Sequence, residues 1–291
     1  KILVPLDGST LAEGVLPYVR SMARAIHVPV ELLRVNDLVQ PRAYVPAARD
    51  GEYLDKIAAS FSGTTDVKCS VELGNPAGVI VDRVATQPDT LIAMATHGYS
   101  GAQRWLLGSV AEKVLHASTN HLLLVRPAGG DTSEARLNTI LVPLDGSGLA
   151  EKVLPTVTDL AACMKLKVLL VHVLIRFYFG SPDAFLPVFG ANIPNQQDLW
   201  AQASAEASQY LANKVEQLRA QGLPQVSSAL IEGTAEGAAA AIVDLAKETP
   251  DNLVALSTHG RSGIGRWLLG SVTERVVRYS NDPVLVIRPQ S

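Results

Sequence analysis

Two short blocks hold residue types suited to binding a phosphorylated ligand, and each occurs twice. Ile2-Leu-Val-Pro-Leu-Asp-Gly-Ser9 returns letter for letter at Ile140 to Ser147. Thr96-His-Gly-Tyr-Ser-Gly-Ala-Gln-Arg-Trp-Leu-Leu-Gly-Ser-Val110 returns, with three substitutions, as Thr258 to Val272. In the second block a glycine-bounded loop, Gly98 to Gly108 or Gly260 to Gly270, feeds a helix opening with Ser109-Val-Ala-Glu112 or Ser271-Val-Thr-Glu274. Unpaired N–H groups and the positive dipole end make such a helix start an anion site suited to a phosphate chain. Ser-x-x-Glu reads as a capping box, so Ser109 and Ser271 are expected to cap these helices. The alternative is that the serines only cap and the glycines only turn the chain.

Asp7 and Asp145, at the ends of apolar runs, suit a carboxylate that accepts hydrogen bonds from ribose hydroxyls or helps hold Mg²⁺ beside phosphates. Capping of the first helix is the competing use. Pro5-Leu6 and Pro143-Leu144 before them offer an apolar wall for an adenine ring. His97 and His259 have no nucleophile-base arrangement near them in sequence, which favours loop-shaping hydrogen bonds over catalysis. Arg104 and Arg266 read as solvated charges with phosphate contact as the alternative, and Trp105 and Trp267 as core or interface residues. No dedicated general base is recognisable, and neither a P-loop nor a first-strand Gly-x-Gly-x-x-Gly occurs.

The elements that must position these residues follow from the repeat. The first block recurs 138 residues on (Ile2 to Ile140) and the second 162 residues on (Thr96 to Thr258), so the second half carries extra material between its second and third strands. Short β-branched or leucine-rich runs alternate with helical patterns, the signature of βαβ units around a parallel sheet covered on both faces. Strands are expected near 2–6, 29–36, 66–72, 90–96 and 121–126, and near 139–144, 167–174, 226–231, 252–257 and 284–288. The polar stretch Ala128 to Arg136 reads as a linker, which divides the chain into domains 1–130 and 131–291. A long helix is expected from about Gln196 to a stop at Gly222, against a shorter one around Tyr53 to Phe61. The aromatic, proline-broken run Phe177 to Phe189 reads as padding, with ligand cover as the alternative.

The length, 291 residues, accommodates two domains with their own cores. With 47% hydrophobic and 18% charged residues and a net charge of −3, the composition is that of a globular protein and gives no support to a nucleic-acid partner. The longest apolar run, Val168 to Ile175 around His172, falls short of the ~20 residues a membrane span needs. Cys69 and Cys163 stand alone, which indicates neither a disulfide framework nor a zinc site and makes the cytoplasm the default location. The chain opens on Lys1 and runs straight into a strand, leaving room for preceding residues or a removed leader.

On these residues the chain resembles the universal stress protein family in its tandem two-domain form. ATP-binding members carry Gly-x2-Gly-x9-Gly-Ser/Thr after the fourth strand. Here the pattern reads Ala95-x2-Gly98-x9-Gly108-Ser109 and Ser257-x2-Gly260-x9-Gly270-Ser271, with the first glycine replaced in both halves. The added Cβ either narrows the site or is accommodated. The resemblance implies an α/β fold of two five-stranded parallel open sheets, each ordered 3-2-1-4-5, with the last strands pairing the halves as a pseudo-dimer. It implies adenine and ribose contacts from Pro5, Leu6, Asp7 and Val35, and from Pro143, Leu144, Asp145 and Val173. Met94, Val110, Leu256 and Val272 would line the pocket around the phosphate loop. The function it implies is ATP or other adenine-nucleotide binding, with Mg²⁺, by a stress-response sensor or signalling module with a protein partner the sequence does not name and a homodimer as one assembly. The competing functions are a slow ATP hydrolase and a nucleotide-free scaffold. The longer second half predicts unequal sites.

Overall fold

The computed structural model describes residues 1–37, 47–61, 66–97, 107–126, 135–175, 196–233, 236–258 and 269–288. In the first half β1 (Ile2–Leu6) leads through α1 (Thr10–Glu13) and α2 (Leu16–Ile26) to β2 (Val30–Asn36), α3 (Ala47–Ala59), β3 (Val67–Leu73), α4 (Pro76–Val84), β4 (Leu91–Ala95), α5 (Ser109–Ala117) and β5 (Leu122–Val125). The second half repeats the order with β6 (Thr139–Pro143), α6 (Gly148–Glu151), α7 (Leu154–Met164), β7 (Lys167–Ile175), α8 (Gln196–Ala220), β8 (Val226–Gly233), α9 (Ala238–Glu248), β9 (Asn252–Ser257), α10 (Ser271–Tyr279) and β10 (Val284–Ile287). Strand positions agree with the sequence expectation to within about two residues. The short partner helix, α3, begins earlier than expected, at Ala47.

All ten strands form one sheet in the order β3-β2-β1-β4-β5-β10-β9-β6-β7-β8, so each half is ordered 3-2-1-4-5. Pairing is parallel within each half and antiparallel where β5 meets β10, with Leu285 opposite Leu123. The strands alternate their side chains between two apolar layers, each drawn from both halves. One gathers Ile2, Val4, Leu6, Leu16, Val19, Ile140, Val142, Leu154, Val157 and Leu211. The other gathers Leu3, Ile80, Ile92, Met94, Val114, Leu141, Ile242, Val254 and Val276. Strands buried on both faces need the near-continuous apolar runs the sequence supplies.

α2 and α7 each start at a Leu-Pro pair, where proline's missing N–H costs nothing, and each stops at a left-handed residue, His27 or Lys165. In α8 the buried residues Ala207, Leu211, Val215 and Leu218 follow helical spacing, while residues 197–206 bury none of their side chains. Its chain reverses at Gly222, whose φ of +96° suits glycine. The extra length of the second half therefore includes turns of α8 whose described side chains are half-buried or exposed.

The seam between the halves is closed by an exchange of arginines. Because β5 and β10 are antiparallel, the residue leaving each strand emerges beside the last helix of the other half. Arg126 Nη2 donates to the Arg278 carbonyl near the end of α10, and Arg288 Nη2 donates to the Leu115 carbonyl near the end of α5. Both carbonyls lie in a last turn, where no intrahelical donor remains and a cation opposes the dipole favourably. Arg278 also lies 3.8 Å from Glu112 of the other half.

At the same seam the Arg288 backbone N–H donates to His121 Nδ1 at 3.2 Å. Burial, then the Arg288 charge, lowers the His121 pKa below its usual value, so the fold holds the neutral imidazole. A lowered folded pKa gives stability that is fully present above the unfolded value, about 6.5, and is lost as pH falls through the folded value. The thermal midpoint is expected to fall as pH drops below about 6.5, and His121→Asn, which keeps an acceptor without titrating, should flatten that fall. Equal pH slopes for the two proteins would show that His121 is not the group responsible.

Candidate nucleotide-type site at the strand ends

In each half the chain departs in opposite directions from β1 and β4, or from β6 and β9, which makes their carboxyl ends the switch point where open α/β sheets bind ligands. β1 pairs with β4 only over Ile2–Leu91 and Leu3–Ile92, while it pairs with β2 along its whole length. Beyond Leu3 the neighbouring strands are no longer paired, and the residues that follow face a gap. β6 and β9 repeat this over Thr139, Ile140 and Leu141.

One lip of each gap is the turn after the strand-end aspartate. Asp7 Oδ1 accepts from Ser9 N at 3.0 Å and Ser9 Oγ at 2.5 Å, and Asp145 Oδ1 accepts from Ser147 N at 2.9 Å and Ser147 Oγ at 2.6 Å. Ser9 and Ser147 in turn accept from Ala12 N and Ala150 N, both at 3.1 Å, and are the N-caps of α1 and α6. The capping of the first helix in each half thus belongs to the serines two residues on, not to the aspartates. Each aspartate braces the cap. Gly8 and Gly146, with φ of +80° and +82°, supply the turn between them.

The other lip is the start of α5 or α10. Here the expected capping box is not formed. The N-caps are Gly108 and Gly270, Ser109 and Ser271 are the first helical residues, and neither helix has a side-chain cap. The reason is tertiary: Gly108 N donates to Thr96 O at 2.8 Å and Gly270 N to Thr258 O at 2.6 Å, tying the helix start to the strand end. A Cβ on Gly108 would stand 3.0 Å from that same Thr96 oxygen. The close approach selects glycine as the cap, and the exposed serine hydroxyl lies one position too late to cap. The first intrahelical bonds are Glu112 N to Gly108 O and Glu274 N to Gly270 O. The N–H groups of Ser109, Val110 and Ala111, and of Ser271, Val272 and Thr273, precede them and have no acceptor within the helix.

Of the residues expected to line the site, Val35, Met94 and Val110 pack on one layer of the sheet, as do Val173, Leu256 and Val272. Pro5 and Pro143 are half-buried in line with Leu3 and Leu141 on that same side. Leu6 and Leu144, 3% and 2% exposed, point into the opposite layer and serve as core. Ala95 and Ser257 end their strands, both buried. His97 Nδ1 lies 3.0 Å from Thr96 Oγ1, the loop-shaping contact expected of it. Gly98, Gly260, His259, Arg104, Arg266, Trp105, Trp267, the run Phe177 to Phe189 and Asp131 lie outside the described residues.

Sequence reasoning missed the polar groups beneath these lips. Arg34, 6% exposed, reaches the Leu6 carbonyl at 3.5 Å and pairs with Asp50 at 3.3 Å, close enough for an ion pair but not aligned as a hydrogen bond. Asn36 Nδ2 donates to the other Asp50 oxygen at 2.7 Å. In the second half the corresponding strand position holds His172, set edge-on to Tyr210 with ring centroids 6.3 Å apart. A tyrosine–glutamate pair recurs in both halves: Tyr53 with Glu13 at 3.0 Å and Tyr210 with Glu151 at 2.9 Å. Burial first, and then the paired glutamate, pushes both phenols well above their ordinary range. Laying position 34 against 172 along the repeat was the available signal, since the repeat fixes the strand register.

A further difference lies behind the first strand. Glu31 is buried, and although burial alone would raise its pKa, hydrogen bonds from Lys1 and Arg83 more than offset this and hold the carboxyl below its usual value. Leu169 takes the corresponding place in the second half, half-buried against the apolar layer.

The family model of the universal stress protein family matches residues 1–126 and again 137–288. The chain belongs to the universal stress protein family. A universal stress protein of Mycolicibacterium smegmatis is 24% identical over 242 residues, covering 82% of this chain and 76% of that one. One from Methanocaldococcus jannaschii is 30% identical over 155 residues, 51% of this chain and 93% of that protein. The crystal structure of a universal stress protein from Archaeoglobus fulgidus covers 100% of this chain and 96% of its own, with a TM-score of 0.68 at 21% identity, a likeness of fold. Both halves thus carry the universal stress protein fold, with their paired lips at equivalent places. Among the described residues no helix is long and apolar enough to cross a membrane, and no group of three His, Cys, Asp or Glu side chains is placed to hold a metal.

Proposed function

We propose that each half binds an adenine nucleotide, ATP with Mg²⁺ in the first instance, and that the protein acts as a stress-response sensor or signalling module. The observation that carries this is the repeated facing of a braced aspartate and a bare helix N-terminus across the same strand gap, in both halves. The residues fit the ligand. The N–H groups of Ser109 and Val110, or Ser271 and Val272, would hold phosphate oxygens at the dipole's positive end. Asp7 or Asp145 would accept from ribose hydroxyls. Pro5, Val35 and Met94, or Pro143, Val173 and Leu256, offer the apolar surface an adenine ring needs.

Mg²⁺, when bound, would neutralise phosphate charge. With no cluster of carboxylates among the described residues, it would be held largely by the phosphates and water beside one aspartate. The division into nucleotide-binding domains 1–130 and 131–291, a homodimer of the whole chain and a protein partner that reads occupancy belong to the same proposal.

The test is equilibrium binding of Mg²⁺-ATP to the wild type and to Asp7→Ala and Asp145→Ala. Each variant is expected to weaken one site by about tenfold, the value of a hydrogen bond to a charged group, and to leave the other site unchanged. Full affinity at both sites in both variants would remove the aspartates from the site.

A further inference from the structure

We infer that two copies of the chain join through the free edge of β8, antiparallel and about a two-fold axis, so that the sheet runs on from one copy into the other. This pairing gives the homodimer proposed above its surface, and it rests on that homodimer and not on nucleotide binding. The ten-stranded sheet ends in β3 on one side and β8 on the other, and among the described residues neither has an outer partner strand. An open edge carries unpaired N–H and C=O groups, which proteins guard with charges, proline or a short strand. β3 carries Lys68 and Glu72, and Arg83 holds Glu72 in place. β8 is longer, and its stretch from Val226 to Ile231 has neither charge nor proline. The less guarded edge is therefore β8.

The register fixes which main-chain groups face outward. Val168 N donates to Gln225 O, so Gln225, Ser227, Ala229 and Ile231 turn their backbone groups toward β7, and Val226, Ser228, Leu230 and Glu232 turn theirs away. Antiparallel pairing centred on Ala229 sets Ser228 against the second copy's Leu230, and the two-fold repeats this on the other side of the axis. Ser227, Ser228 and Ala229 at the centre are small, and both serines are exposed. The same register sets Val226 against the second copy's Glu232. Arg219, exposed on α8, donates to the Val226 carbonyl at 2.7 Å, which places its guanidinium at that end of the edge. Glu232 shares by alternation the sheet face of Val226 and Leu230, the face on which α8 packs. The two-fold thus turns Arg219 of each copy toward Glu232 of the other. This charge complementarity lies within one chain, which argues for a second copy as the occupant. The fold already makes such a junction where β5 meets β10.

Sedimentation equilibrium of the whole chain tests this, and the wild type is expected to be a dimer. Ser228→Pro removes an N–H that the ladder to β7 does not use, a place where an edge strand accepts proline. It should raise the dimer dissociation constant about tenfold or more, because the axis doubles the lost hydrogen bond. Arg219→Glu sets like charges against each other and should also weaken the dimer. Combining it with Glu232→Arg should restore the dimer, which loss of a merely structural contact would not do. A wild-type chain that stays monomeric would overturn the β8 pairing and the homodimer together. A dimer indifferent to Ser228→Pro and Arg219→Glu, or a charge exchange that restores nothing, would overturn the β8 pairing alone. An open-ended polymer would overturn it too, since a contact of β8 with β3 of the next copy does not close.

Discussion

Asp50→Ala is expected to cost the protein about 3–5 kcal/mol, the usual loss when one partner of a buried ion pair is removed. The Arg34 and Asp50 side chains are only 7% and 5% exposed, so water cannot replace the missing carboxylate. The guanidinium would be left with the Leu6 carbonyl at 3.5 Å, and Asn36 would lose its acceptor. Against a typical total of ~5–15 kcal/mol, such a loss is a large fraction of the stability. The penalty belongs to the stranded charge and not to the pair. Arg34→Met with Asp50→Ala should therefore recover most of it, because an apolar replacement of both partners is often neutral. In the second half His172 takes the place of Arg34 on the strand, edge-on to Tyr210. Urea denaturation of the two single variants and the double variant measures the coupling. Additive losses would mean that the pair is not the interaction that counts.

Gly108→Val should strike the first site from two directions. The φ of −62° at Gly108 is open to any residue, so the effect comes from contact and not from backbone strain. The new Cβ would press on the Thr96 carbonyl from 3.0 Å and the His97 Cα from 3.6 Å, both backbone atoms that cannot swing aside. Overpacking of this kind costs about 1–3 kcal/mol. It would also push the start of α5 away from the strand end, breaking the Gly108 N to Thr96 O bond. Mg²⁺-ATP affinity at the first site is expected to fall by more than tenfold, with the second site unaffected. Gly108→Ala, lacking the two extra methyl groups, should lie between. A Gly108→Val protein with full affinity at both sites would show that the helix start plays no part in binding.

Much of the fold is legible in the sequence because it is written twice. The identical opening blocks place β1 and β6, the shared closing runs place β5 and β10, and the apolar content of the strands announces a sheet buried on both faces. What could not be read depends on contacts between segments distant along the chain. Ser-x-x-Glu matches a capping box in sequence, yet the helix start is decided by how closely Gly108 must approach Thr96, which belongs to a different element. Arg34 and Asp50 form an ion pair only because α3 folds over the end of β2. Arg126 and Arg288 reach helix-end carbonyls only because the antiparallel seam carries each to the opposite half's helix. The site follows the same division: Asp7, Asp145, Gly108 and Gly270 are visible as a repeated pattern, whereas the Arg34–Asp50 pair beneath one lip is not.

The most direct test is a calorimetric titration of the wild-type chain with Mg²⁺-ATP, counting sites. Saturable binding to both halves, with one site lost in Gly108→Val and the other in Gly270→Val, is the predicted result. No binding at either half, from a protein shown to be folded, would contradict the nucleotide reading and leave the paired lips as purely structural features of the fold.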